Sequence, residues 1–283
     1  MERRNPRWRF GIRSDDRVDR RGLKTASVYT AMATAAFRFY AELNDFLPRE
    51  RRRIAFEREF SGRVAVKDMI ESLGVPHPEI DLILVNGVSV DFGYLVRDGD
   101  SVSVYPVFES LDIQPVIRLR PEPLRVLRFL LDAHLGRLAA YLRLLGLDTA
   151  YRNDFTDAEL ARRSALEERI LLTRDRGLLK RSEVTRGYCV RASAPREQAR
   201  EVVERFDLRR AIVPFRRCLS CNGLLQPVEK QAVENLLPPG TRDRFDVFYR
   251  CSDCGKIYWP GSHYSRLQSL VTDFLSPPRG QTA

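Results

Sequence analysis

Residues 124–175 read LRVLRFLLDAHLGRLAAYLRLLGLDTAYRNDFTDAELARRSALEERILLTRD, and the order of patterns in this stretch decides the fold. Residues 124–131 have the apolar run of a largely buried strand, and positions 135, 138, 139, 142 and 145 follow at helical spacing. Residues 149–151 make a short second strand. Thr156 and Glu159 then form a capping box opening a helix through Glu168, since hydroxyl and carboxylate each satisfy an amide left unpaired at a helix start. Residues 170–173 are a third strand, 177–181 at most a short helix, 188–191 a fourth strand and 196–206 a last helix. Such alternation predicts an α/β domain over residues 123–213, its parallel sheet covered on both faces.

In such sheets ligands sit beyond the carboxyl ends of the strands. Asp132 directly follows the first strand, Asp154 and Asp157 follow the second, and Asp175 lies two residues past the third. Carboxylates gathered around one crevice repel one another unless a divalent cation lies between them, and oxygen donors suit Mg²⁺ or Mn²⁺. Arg174, Arg176, Lys180 and Arg181 surround Asp175, while Arg137, Arg143 and Arg152 are near the other acids. Metal beside guanidinium groups suits attack on a phosphodiester: the ion activates water and arginine holds phosphate. Residue by residue, a plainer reading stands beside this one. Asp132 and Asp175 can cap helices, Asp157 suits a helix first turn, and the arginines can form a solvated face. His134 reads more simply as a local hydrogen-bonding residue, and Cys189 as a small buried hydrophobe.

Downstream, Cys218 and Cys221 form one C-x₂-C pair and Cys251 and Cys254 another, the pattern of a tetrahedral, structural Cys₄ Zn²⁺ site. The insert between them reads as a helix over 229–237 ended by Pro238-Pro239-Gly240. Phe248, Tyr249, Tyr258, Trp259, His263 and Tyr264 interleave with Arg250, Lys256 and Arg266, which suits either base stacking or a small core. This predicts a zinc ribbon over 214–270 and a disordered tail over 271–283.

Upstream, 36–42 and 58–64 read as two strands of a hairpin, 65–73 as a helix ending at Gly74, 82–85 and 88–90 as strands joined at Asn86-Gly87, and 101–107 as a last strand. Strand, strand, helix, strand, strand over 33–112 resembles the β-grasp of ubiquitin-like sulfur carriers. No Gly-Gly terminus ends it, so thiocarboxylate chemistry is not expected, and its role reads as either partner binding or a passive appendage. Residues 1–32, with 9 basic and 4 acidic side chains, are expected to be a disordered basic tail, with Met32 an alternative start.

The 283 residues carry 48 Lys and Arg against 38 Asp and Glu, a net +10 that favours a polyanionic partner. Residues 33–112 hold 9 basic and 14 acidic side chains, whereas 113–215 hold 21 and 14, which places polyanion chemistry after residue 112. Paired cysteines and a weak export pattern point to zinc in a reducing cytoplasm over disulfides, and no apolar stretch is long enough to span a membrane.

The runs FLLDAHLGRLAAYLRLLGLDTAYRNDFTDAEL and ILLTRDRGLLKRSEVTRGYCV resemble the PIN-like RNase domain at the C-terminus of Mut-seven-type exonucleases, over about 124–264 with the zinc module included. The resemblance implies a metal-dependent ribonuclease with Asp132, Asp157 and Asp175 as catalytic Mg²⁺ or Mn²⁺ ligands. A fourth acid of that pattern has no match, since Arg191-Ala192-Ser193 stands in its place. The expected whole is multidomain: a β-grasp, a PIN-like α/β nuclease binding RNA through Arg137, Arg174, Arg176, Lys180 and Arg181, and a zinc ribbon aiding substrate binding. The alternative is a non-cleaving RNA-binding adaptor whose β-grasp recruits a protein partner. A phosphotransfer domain ranks below both, for want of an Asp-x-Asp pair at Asp132-Ala133-His134.

Overall fold

In the structure, a computed structural model describing residues 32–107, 119 and 127–276, the chain begins with a five-stranded mixed sheet. The expectations for residues 1–31 fall outside the described residues. Strands β1 (Ala33–Phe39), β2 (Phe56–Phe60), β3 (Ile80–Val85), β4 (Val88–Val90) and β5 (Ser101–Pro106) lie in the order β2-β1-β5-β3-β4, with helix α1 (Val66–Ser72) packed on one face. β1 and β5 run parallel at the centre and the other pairs antiparallel, which is the β-grasp arrangement. Asn86 and Gly87 both have positive φ (51° and 82°), as a two-residue hairpin between β3 and β4 requires.

β1 lies three residues earlier than the sequence pattern suggests. Ala41 takes a left-handed φ of 44°, and the chain rolls into a 3₁₀ turn, Ala41–Phe46, that buries Leu43 and Phe46. The Asn44 side chain replaces strand pairing there, donating to the carbonyls of Phe39 and Ala41 at 2.9 Å each. β2 in turn is placed at 56–60, not 58–64, by its antiparallel register with β1.

The second sheet is parallel throughout: β6 (Phe129–Leu131), β7 (Thr149–Tyr151), β8 (Ile170–Thr173) and β9 (Gly187–Cys189), ordered β7-β6-β8-β9. The first strand is shorter than the expected 124–131, and residues 124–126 are not described. Central β6 and β8 are buried along their whole length, which explains their uninterrupted apolar sequences. Helices α2 (Gly136–Leu144), α3 (Asp157–Leu166), α4 (Arg176–Leu179) and α5 (Pro195–Arg205) follow the four strands, and the capping box at Thr156 and Glu159 is formed as read. Leu138, Leu142, Val202 and Val203 cover one sheet face; Leu160, Ala161, Leu178 and Leu179 cover the other.

The C-terminal part holds β10 (Leu225–Val228), α6 (Lys230–Val233), α7 (Pro239–Arg242), β11 (Phe248–Cys251), β12 (Ile257–Tyr258) and α8 (Tyr264–Leu275). The helix read over 229–237 is instead one turn of α-helix and one of 3₁₀, and Pro238-Pro239-Gly240 starts α7, since proline suits a first helical turn. The tail expected from residue 271 is likewise corrected: α8 runs to Leu275, burying Val271 and Phe274 against α2 and α5. Its apolar positions Leu267, Leu270, Val271 and Phe274 hold it there.

The two larger units share a buried cluster on the α3–α4 side of the second sheet. Val66, Met69, Ile70 and Val75 of the β-grasp lie in the same buried cluster as Leu178, Leu179, Val184 and Cys189. Edge strand β9 is covered rather than open: its Cys189 amide donates to Glu79 Oε1 at 2.5 Å.

Candidate functional site

Asp132 directly follows β6 and is buried, 7 % exposed. Its Oδ2 accepts a 2.7 Å hydrogen bond from Thr173 Oγ1, and the same hydroxyl accepts from the Asp175 amide at 2.9 Å. One threonine at the end of β8 thereby fixes the Asp132 carboxylate and the turn that carries Asp175. Asp175 caps α4, its Oδ1 accepting from the Gly177 amide at 2.7 Å. The backbone around Asp132 is braced from the other side, where Tyr151 donates to the Ala133 carbonyl at 3.0 Å. A Cβ at Gly136 would stand 2.6 Å from the Tyr151 hydroxyl, so a side chain there would push that ring out of place.

Asp157 opens α3, exposed, just past the end of β7. All three aspartates thus lie at the carboxyl end of the parallel sheet, but they are not drawn into one tight set. Among the described residues, the one group of three or more Asp, Glu, His or Cys donors within 4.8 Å of one another is Cys218, Cys221, Cys251 and Cys254. One oxygen of Asp132 and one of Asp175 make no hydrogen bond to another described residue, and neither does the Asp157 carboxylate.

The basic residues divide sharply. Arg137 and Arg174 are exposed with no hydrogen bond or ion pair to another described residue. Arg176 instead donates to the Phe46 carbonyl at 3.3 Å and lies over the Phe46 ring, and Lys180 donates to the Glu71 carbonyl at 2.6 Å. These two cations, read as substrate ligands, hold the β-grasp. Arg181 pairs with Glu183 at 3.4 Å and Arg152 with Asp154 at 2.5 Å. Arg143, read as lying near the acids, is buried at the far end of α2. His134 is exposed. Cys189 is buried beside Glu79, and burial pushes its thiol up to about 11, as for an inert structural cysteine.

Arg191 stands at the position of the fourth acid in the resembling pattern. Its guanidinium lies over the Phe46 and Tyr188 rings, 3.5 Å from Glu79 and 3.4 Å from Asp45 of the β-grasp. Glu79 is 1 % exposed, and burial pushes its carboxyl above the usual range despite the Arg191 charge.

The four cysteines fit zinc. Cys218 and Cys254 sulfurs are 3.6 Å apart and those of Cys221 and Cys251 3.3 Å, against edges of about 3.8 Å in a tetrahedron with Zn–S of about 2.3 Å. Burial alone would raise the Cys218 thiol, but the hydrogen bond from Tyr258 (3.1 Å) and the backbone amides of Cys221 and Ser220 outweigh it and draw the thiol down to about 6. A thiolate is the form that binds the ion.

This module docks away from the aspartates. Arg143 donates to Thr149 O, Leu219 O and Ser220 O at 3.0, 3.1 and 2.9 Å, while Asn222 bridges the Thr149 amide and Asp148. Thr149 opens β7, so the first zinc knuckle sits at the amino end of the sheet, separated from the carboxylates by a strand length of roughly 10 Å. Phe248 is buried, and Trp259 packs on the Val233, Leu237 and Phe248 cluster. Tyr264 packs on Phe215 at 4.9 Å, which leaves these aromatics serving packing more than base stacking.

No helix among the described residues is long and apolar enough to cross a membrane. A family model described as Mut7-C RNAse domain matches residues 127–271, and one described as Mut7-C ubiquitin matches residues 32–112. No curated protein and no solved structure matches the chain.

Proposed function

The chain belongs to the Mut7-C RNAse domain family, and from that premise we propose that it is a metal-dependent ribonuclease hydrolysing RNA phosphodiester bonds at the carboxyl end of its parallel sheet. The observation that carries the reading is the Thr173 bridge between Asp132 and the Asp175 turn, which spends a buried hydroxyl on orienting a carboxylate. Asp132, Asp157 and Asp175 would hold Mg²⁺ or Mn²⁺ through their open oxygens, which are the hard donors such ions prefer. When bound, the ion would supply an activated water and neutralise charge on the leaving oxygen. Thr173 holds Asp132 in one rotamer throughout. Arg137 and Arg174, unencumbered at the same end, hold substrate phosphates. The Cys₄ site takes structural zinc, since four thiolates leave no open position.

The β-grasp has a more definite part here than recruitment. By engaging Arg176, Lys180 and Arg191 it shapes the rim beside Asp175 and, with Arg181 paired to Glu183, leaves Arg137 and Arg174 as the open cations of those read from the sequence. The same contacts favour the alternative of a non-cleaving RNA-binding adaptor, because the fourth-acid position carries a guanidinium.

Cleavage of labelled single- and double-stranded RNA and DNA with Mg²⁺, Mn²⁺ or EDTA decides between them, comparing wild type with Asp132→Asn and Asp175→Asn. The nuclease reading expects metal-dependent cutting of RNA, lost in both variants. RNA binding without cutting under any condition would support the adaptor.

A further inference from the structure

Away from the three aspartates, α5 and α8 flank an open cavity of about 440 Å³ lined by Arg196, Glu197, Arg200, Arg266 and Asp273. Its charges are not evenly matched. Arg200 binds both carboxylates at once, donating to Asp273 at 2.5 Å and Glu197 at 2.9 Å, and so ties the two helices together. Arg196 and Arg266 line the same cavity, exposed, with no hydrogen bond or ion pair to another described residue. A lining whose two acids are already satisfied by one guanidinium leaves two cations without an anion among the described residues.

The place of Arg196 says which anion. α5 begins six residues after the end of β9, and in a parallel sheet the start of each following helix lies at the end where its strand finishes. Arg196, in the first turn of α5, is therefore at the same end of the molecule as Asp132 and Asp175. Arg137, in the first turn of the neighbouring α2 on the same sheet face, is there too. Resting on the ribonuclease reading, we propose that the α5–α8 cavity is a second phosphate subsite, in which Arg196 and Arg266 grip the backbone of an RNA strand whose scissile bond lies at the carboxylates. Because the contacts are to phosphate, the subsite adds affinity and direction without base preference. Nothing in the sequence marked Arg196 or Arg266 together: they lie 70 positions apart, one in the nuclease fold and one after the zinc ribbon.

The test is fluorescence anisotropy of labelled single-stranded RNA of 4 and 20 nucleotides with the full chain in EDTA, across a salt series. Wild type is compared with Arg196→Ala/Arg266→Ala and with Arg196→Lys/Arg266→Lys, each checked for an unchanged melting temperature. For the longer RNA, loss of two phosphate contacts should weaken binding and flatten the slope of log K against log salt by about 1.4, at about 0.7 per contact on single strands. The lysine variant should keep the slope, and the 4-nucleotide RNA should respond less than the longer one. Unchanged affinity and slope in the alanine variant, with wild type still binding and cutting RNA, would overturn the subsite alone. A wild type that neither binds nor cuts RNA would overturn the ribonuclease reading with it. Arginine-dependent binding of polyglutamate but not of RNA would reassign the cavity to a protein partner.

Discussion

Thr173 is the smallest unit on which the candidate chemistry depends. It is fully buried at the end of β8, and its one hydroxyl both donates to Asp132 and accepts from the Asp175 amide. Thr173→Val keeps the shape and the strand but removes that hydroxyl, leaving a buried carboxylate without its donor. The unmade hydrogen bonds should cost about 1–3 kcal/mol of stability. The apparent Mg²⁺ or Mn²⁺ requirement of cleavage should rise by roughly 10- to 100-fold, as when an outer partner of a metal ligand is lost. Thr173→Ser should restore most of it. Metal titration of cleavage rates reads the effect, and an unshifted requirement in the valine variant would sink the positioning role. In the sequence, Asp132, Asp157 and Asp175 stood out because each follows a strand pattern. Thr173, Tyr151 and Gly136 did not, because their roles are contacts across 15 to 41 residues that no local period reveals.

At the scale of elements, the docking of the zinc knuckle onto the foot of the sheet depends on Asp148. Burial pushes its carboxyl up, but hydrogen bonds from Arg169 and Asn222 and the charges of Arg169 and Arg217 outweigh this and hold it below the ordinary carboxylate range. A lowered folded-state pKa contributes stability that is present above the unfolded value, near 4, and is lost as pH falls through the folded value. Asp148→Asn should therefore lower the melting temperature at pH 7, and the gap from wild type should close as pH falls below about 4. A gap that is constant with pH would contradict the linkage. For the knuckle itself, Cys218→Ser should reduce bound zinc from one ion per chain and lower thermal stability, since a closed Cys₄ site adds its binding energy to folding. Native mass spectrometry and a melting curve with chelator check both, and unchanged zinc content would refute the Cys₄ assignment. Strand and helix patterns placed most elements within a few residues. Three of the exceptions share a cause: β1, β2 and α8 are positioned by partners distant in sequence, through sheet register or through packing on α2 and α5.

Across the whole molecule, the N-terminal β-grasp cannot be a loosely tethered appendage. Its core and the α3–α4 face of the nuclease sheet form one buried cluster, and the 3₁₀ turn His77–Glu79 is sealed against β9 and the loop before it. His77 Nε2 meets the Val184 carbonyl at 2.8 Å while Nδ1 meets Glu71 at 2.6 Å, and Arg205 reaches back to the Val107 carbonyl at 3.2 Å. Exposing Leu178, Leu179 and Val184 by undocking would return their apolar surface to water at about 25 cal/mol per Å². The two units should therefore melt together. Calorimetry should give one transition for both, with the van't Hoff and calorimetric enthalpies in agreement. Ile70→Ala, placed wholly within the β-grasp core, should cost about 2–5 kcal/mol and shift that single transition downward. The proposed ribonuclease activity, assigned to residues more than 60 positions away, should disappear along the same curve. A variant in which the β-grasp melts first, leaving a folded and active nuclease unit at higher temperature, would show that the shared core does not couple them.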